Sequence, residues 1–240
     1  MPSHWEQHGF GAYNYGRDYV TYGRNFKFND ETGLYKHQFS VPNSWKGKTI
    51  SIVFEGSMTD TEVKINGKSA GAIHQGAFYE FKYDISDKIL FGKQNILEVK
   101  VSKISADNSV KNAERLAVYW VLGGIFRPVY LEASPKENIS WVAIDAKADG
   151  TFRSNIELNE IISANNIKVE LFDAKNNLVG ESQVQIQKGD SLKQIQFSVK
   201  NPKLWTAEMP NLYKAKFTLY KNKKEIFQTE EKFGFRTIEI

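Results

Sequence analysis

YWVLGGIFRPVYLEA, residues 119–133, is the stretch on which the reading of this chain turns. The tandem glycines Gly123 and Gly124 permit backbone angles or close approaches that a Cβ forbids, and the β-prone run 125–132 follows them at once. A sharp turn feeding a strand is therefore expected here. Within that run Arg127 brings a cation and Pro128 removes an N–H, so the strand is read as an edge, a bulge, or a place where Arg127 meets a carboxylate. Between a structural ion pair and contact with an acidic sugar, the ion pair is the favoured role for Arg127.

Working upstream, residues 34–41 form a strand and 42–47 a loop, after which Ile50, Ile52 and Phe54 alternate with Ser51 and Glu55. Residues 61–65 and 69–73 flank Asn66-Gly67, the pair that a type I′ hairpin prefers. Strands follow at 78–85 and where Leu97, Val99 and Val101 alternate with Glu98, Lys100 and Ser102; a polar loop, 105–114, leads back to the glycines. Residues 1–33 show no period and read as an extended lead-in. About eight strands with no helix fit a jelly-roll sandwich.

Downstream, Ser134-Pro135-Lys136-Glu137 reads as a joint, and the strand pattern restarts. Runs at 139–146, 152–158, 167–172, 178–186, 192–199, 213–220 and 225–229 are separated by turn signals such as Asp149-Gly150 and Gly189-Asp190. They match an immunoglobulin-like sandwich, with Trp141 and Trp205 as its expected core anchors. The fold class is thus all-β, a jelly-roll β-sandwich (1–134) followed by an immunoglobulin-like β-sandwich (135–240). The tail KFGFRTIEI, 232–240, ends in strand-like sequence, as though cut from something longer.

With 240 residues and 41% hydrophobic content the chain can bury two cores. Its 32 Lys and Arg are interleaved with 28 Asp and Glu, for a net charge of +4, which argues against a nucleic-acid partner. Zero cysteines exclude disulfides and thiolate chemistry. No apolar run reaches the length of about 18 residues that a membrane span requires, so no membrane partner is expected and the chain reads as soluble. The compartment stays open between periplasm and cytoplasm. No cofactor-binding pattern is present: Gly47-Lys48-Thr49 lacks both the leading glycine and the following helix of a phosphate loop.

Several segments together resemble the N-terminal region of glycoside hydrolase family 2, the family of β-galactosidases, β-glucuronidases and β-mannosidases. They are Thr32-Gly33-Leu34-Tyr35-Lys36, VFEGSMTDTEVKINGKSAGAIHQGAFYEFKYDIS (53–86), GGIFRPVYLEA (123–133), NPKLWTAEMPNLYKAKFTLY (201–220) and FGFRTIEI (233–240). The resemblance implies a galactose-binding-like jelly-roll followed by an immunoglobulin-like spacer. It also implies a catalytic (β/α)8 barrel after them, which carries both catalytic glutamates. No residue here matches either glutamate motif, so the resemblance assigns no catalytic residue to this chain. It implies a scaffolding role in a β-galactosidase-like parent, with carbohydrate and the C-terminal barrel as partners and a homo-oligomer as a way to cover bare apolar surface. The alternative is an autonomous carbohydrate-binding module.

In the galactosidase and glucuronidase branches an aspartate two residues before the position of Trp120 contacts substrate; here that position is Val118. The galactosidase asparagine of the lead-in corresponds to Arg17. The substrate-binding candidates are then Trp120, whose indole suits the apolar face of a pyranose, and Arg17, Asp18, Glu114 and Arg115, which can form charge-assisted hydrogen bonds. Against these stand an interface role for Trp120 and plain solvated loops for the four charges. His4 and His8 have helical i, i+4 spacing but not a helical context, so no metal site is expected; His37 and His74 have no local acid/base partner. Asn138-Ile139-Ser140 fits a glycosylation acceptor formally.

Overall fold

Period-two runs become antiparallel strands throughout the computed structural model, which describes residues 2–15, 18–23, 25–27, 29–115 and 120–238. The chain divides into two units, Met1–Ser134 and Pro135–Ile240.

Unit 1 contains β1 (Asn14–Tyr15), β2 (Thr32–Ser40), β3 (Thr49–Phe54), β4 (Asp60–Ile65), β5 (Lys68–Ser69), β6 (Phe81–Asp84), β7 (Gln94–Ser102), β8 (Trp120–Val121) and β9 (Val129–Ser134). One sheet runs β2-β7-β4-β5 and a second runs β6-β3-β9, while β1 and β8 form a separate ribbon. The alternation read from the sequence aims Ile50, Ile52 and Phe54 into a core shared with Val63, Ile65, Val99 and Val101. Asn66 (φ 52) and Gly67 (φ 78) make the two-residue hairpin that pairs Ile65 with Lys68. Its second strand is shorter than expected: the Tyr83 ring covers Gly71, where a Cβ would lie 2.6 Å from Cδ1, and the chain rejoins β4 only at a Thr61–His74 bridge.

Three local expectations for unit 1 change. The lead-in carries a 3-10 helix, Trp5–His8, and a short α-helix, α1 (Asp18–Tyr22). The polar stretch before residue 115 is not a loop but a helix, α2 (Asn108–Arg115). Asp107 caps it, its Oδ1 accepting from the amides of Ser109 at 2.8 Å and Val110 at 3.2 Å, which satisfies donors that the first turn leaves open. Finally, Arg127 and Pro128 precede β9 rather than interrupt it. Arg127 is exposed, forms no ion pair among the described residues, and holds its guanidinium 5.5 Å from the centroid of Phe126.

Unit 2 contains β10 (Asn138–Ala146), β11 (Thr151–Asn159), β12 (Asn166–Phe172), β13 (Leu178–Gln185), β14 (Leu192–Ser198), β15 (Tyr213–Lys221) and β16 (Lys224–Phe233). They form two antiparallel sheets, β10-β11-β14 and β13-β12-β15-β16, the layout of an immunoglobulin-like sandwich. The core is built on Phe152, Ile156, Ile167, Leu171, Phe217 and Phe235, with the rings of Phe152 and Phe233 5.2 Å apart. Neither expected tryptophan is in it. A bulge between Ile139 and Trp141 shifts the β10 alternation, so Ile139, Val142 and Ile144 face inward and Trp141 is 56% exposed. Trp205 is half-buried at the edge, covered by the Arg236 guanidinium at 4.8 Å.

The connection between β11 and β12 is fixed by a carboxylate. Glu137 Oε2 accepts from the amides of Ile162 (2.9 Å), Ser163 (2.6 Å) and Ala164 (2.7 Å), and Oε1 accepts from the Ser163 hydroxyl at 2.6 Å. Burial alone would raise its pKa; the Ser163 hydroxyl and the three amides outweigh burial and bring it down to about 2. Asn138 is buried and donates to the Pro135 carbonyl at 2.7 Å, which removes it as a glycosylation acceptor in the folded chain.

Candidate functional site

The β1/β8 ribbon pairs Asn14 with Val121 and Tyr15 with Trp120, and so ties the lead-in to the chain that follows α2. Of the five candidate residues, Trp120 lies in this ribbon, Asp18 opens α1 just beyond β1, and Glu114 and Arg115 close α2 just before β8. Only the backbone of Trp120 is described, and Arg17 and Val118 lie outside the described residues.

Glu114 and Arg115 do not point to solvent as loop charges would. Glu114 Oε1 accepts from the Ala77 amide at 2.8 Å, and Thr59 Oγ1 lies 3.5 Å from its Oε2. Arg115 has no exposed surface, and its Nη2 donates to Thr59 Oγ1. The pair therefore ties the end of α2 to Ala77 and to Thr59, the residue before β4. Beside it lies further buried polar structure: Asp60 Oδ2 accepts from the Ala106 amide at 2.8 Å and from Gln75 at 3.2 Å, and the Ser57 and Thr61 hydroxyls bond to each other. Burial holds His74 below the usual imidazole range, although its bond to the Gly76 carbonyl and the charges of Asp60 and Glu114 pull the other way. Its ring stacks on Phe81 with centroids 3.7 Å apart.

The strongest electrostatic feature was invisible in the sequence. Lys103 is fully buried, and its Nζ meets Glu6 Oε1 at 2.7 Å, Glu31 Oε2 at 3.2 Å and the Ala12 carbonyl at 2.5 Å. Glu6 also accepts from the Gly123 amide at 3.1 and 3.2 Å, and Glu31 from the Ala12 amide at 2.7 Å. For Glu31 burial is the largest influence and raises the pKa, but backbone amides and Lys103 together bring it below the usual range. The tandem glycines are needed for two different reasons. A Cβ on Gly123 would lie 2.0 Å from Trp5 Cζ2, whereas Gly124 adopts φ 117. Trp5 is thereby seated at the edge of the core, 9% exposed. Sequence offered no signal for this node because its partners are local to different ends of the unit.

His4 Nδ1 lies 3.3 Å from the Gly123 carbonyl and His8 Nε2 2.9 Å from Ser3 Oγ, so the two imidazoles are engaged separately. Among the described residues no group of three His, Asp or Glu is arranged to hold a metal ion, and no helix is long and apolar enough to cross a membrane. A concavity of about 550 Å3 opens between β2 and β9, walled by Tyr35, Phe39, Ile52, Leu97 and Leu131 with Arg127 at its rim. Its lining is mostly apolar, with Lys36, His37 and Arg127 as its polar members.

Comparison with known proteins adds to this geometry. The sugar binding domain of glycosyl hydrolases family 2 matches residues 1–135, and a second domain of glycosyl hydrolases family 2 matches residues 138–236. A Formosa agariphila protein assigned as a β-glucuronidase is 31% identical over 212 residues, covering 86% of this chain and 25% of its own length. A Clostridium acetobutylicum β-galactosidase is 30% identical over 257 residues, covering 100% of this chain and 27% of its own length. The crystal structure of Bacteroides uniformis β-glucuronidase superposes with a TM-score of 0.72 at 22% identity, over 86% of this chain and 26% of that one, a likeness of fold. The chain thus spans about a quarter of the length of these relatives. With one domain model matching more than half of its residues and a second taking up where the first leaves off, this chain belongs to glycosyl hydrolase family 2.

Proposed function

We propose that this chain is the non-catalytic N-terminal scaffold of a retaining glycoside hydrolase that cleaves β-glycosidic O-linkages, β-galactosides in the first instance. In this reading residues 1–134 line one wall of the cleft on a C-terminal barrel, and residues 135–240 hold the two apart. The observation that carries it is the succession of two family 2 domain matches along the chain, together with β-galactosidase relatives that cover its full length.

The chemistry of the carboxylates held by backbone amides supports it. Retention requires two carboxyl groups roughly 5–5.5 Å apart at the mouth of a concave site. Glu6, Glu31, Glu114 and Glu137 are each engaged with backbone amides, and two of them with Lys103. They act on folding, not on a glycosidic bond. Apolar side chains bare on unit 1, such as Leu34 (80% exposed) and Phe78 (50%), supply surface for a barrel or a second copy to cover.

Expression of the complete reading frame containing this chain is expected to give hydrolysis of an aryl β-galactoside, and the purified 240-residue chain none. Turnover by the isolated chain would overturn the scaffold reading.

A further inference from the structure

The outer face of the β10-β11-β14 sheet is patterned in a way that core packing does not require. In β11 the burial alternates without a break, leaving Arg153, Asn155 and Glu157 outward. Strand register then fixes rows across the face: Trp141, Glu157 and Leu192 in one, and Asn155 and Gln194 side by side in the next. Beyond them Asp145, Arg153 and Gln196 form a third. Trp141 is present on this face only because of the bulge after Ile139; continued alternation would have turned it into the core. Keeping an indole 56% exposed forgoes a large hydrophobic gain, so its outward placement is the informative observation.

We propose that this face binds neutral, β-linked glycan chains, with Trp141 as the stacking platform. The apolar C–H face of a pyranose matches the indole, and the amides alongside match its hydroxyls. Gln194 donates to Asn155 Oδ1 at 2.8 Å and Arg153 Nε donates to Gln196 Oε1 at 3.1 Å, which holds all four side chains in place. Each amide then keeps a second polar atom for a ligand. The charges nearly balance, Asp145 and Glu157 against Arg153, with Lys147 bonded to Asp145 at 3.2 Å. That balance does not favour a polyanion. Nor does the face present the contiguous apolar centre of a protein interface: Trp141 and Leu192 stand two strand spacings apart, about 10 Å, with Glu157 between them. These side chains stand in rows across one sheet face, an arrangement that suits a polymer lying across the strands rather than a sugar enclosed in a pocket. This site belongs to unit 2 and not to the domain matched as sugar binding, and it does not depend on the scaffold reading.

The test is native affinity electrophoresis of the whole chain through gels containing soluble β-1,4-galactan, mixed-linkage β-glucan or galactomannan. At least one polymer should retard the protein; Trp141→Ala should weaken that retardation at least about tenfold, a difference of about 1.4 kcal/mol. The Asn155→Ala/Gln194→Ala pair should weaken it several-fold at unchanged melting temperature, and Leu34→Ser, on unit 1, should leave it intact. The amide pair and Trp141→Phe keep the test decisive if Trp141→Ala is poorly folded. No retardation by any of the three polymers, or retardation indifferent to these unit 2 substitutions, would overturn the proposal. So would sedimentation showing a dimer that Trp141→Ala dissociates, or stronger retention by polygalacturonate than by the neutral gels.

Discussion

Lys103 and Glu6 meet at 2.7 Å with side-chain exposures of 0% and 4%, and join the lead-in to β7 inside unit 1. Glu31 gives Lys103 a second carboxylate, but it is 32% exposed and compensates only partly. Removing one member of a buried pair leaves the other charge uncompensated, at a cost of roughly 3–5 kcal/mol. Glu6→Ala is expected to lower unfolding free energy by about 3 kcal/mol in urea titrations. The Glu6→Gln/Lys103→Met double variant should lose less than the sum of its single changes.

Gly123 has no room for a side chain. Gly123→Ala places a methyl against the Trp5 indole and should cost about 2 kcal/mol or more through overpacking. In a Trp5→Phe background the same substitution should cost measurably less, because the smaller ring withdraws from the clash. Equal costs in the two backgrounds would mean that the backbone, not the indole, sets the requirement.

Arg127→Ala should change stability by less than about 1 kcal/mol, since only the contact with Phe126 and some stem packing are lost. The sequence favoured an ion pair there and hence a larger loss. A drop of several degrees in melting temperature would restore that view.

Glu137 gives unit 2 a defined acid sensitivity. Its folded-state pKa, about 2, lies below the ordinary value of 4.5, so the folded state binds this proton less readily than the unfolded chain. The stabilisation is therefore complete above about pH 4.5 and disappears as the pH falls toward 2. Glu137→Gln should cost about 2 kcal/mol at neutral pH, typical of lost charge-assisted hydrogen bonds. It should also flatten the stability profile of residues 135–240 between those pH values, read by thermal melts across the range.

What the sequence disclosed follows from the range of each interaction. Alternation along β3, β7 and β11 is decided by neighbours two residues apart, so those strands and the Asn66-Gly67 hairpin were readable. Trp141 was misread because a single extra residue, Ser140, reverses the phase of everything after it, and no local signal announces the bulge. The α2 helix did carry a local mark in Asp107, but Val110 and Ala113 alone made its apolar stripe too short to read as a helix. Glu114 and Arg115 resembled surface charges because their partners, Ala77 and Thr59, lie far off in the sequence, in the connections before β6 and β4.

The Glu6–Gly123 contact spans 117 positions of the chain. On a ribosome, the lead-in is thus made early in its unit and is among the last of its segments to find partners. At ordinary rates of synthesis the Trp5 indole waits on the order of ten seconds for Gly123 to emerge. Until then the nascent chain carries an exposed aromatic in its lead-in, which the completed turn at Gly123-Gly124 covers.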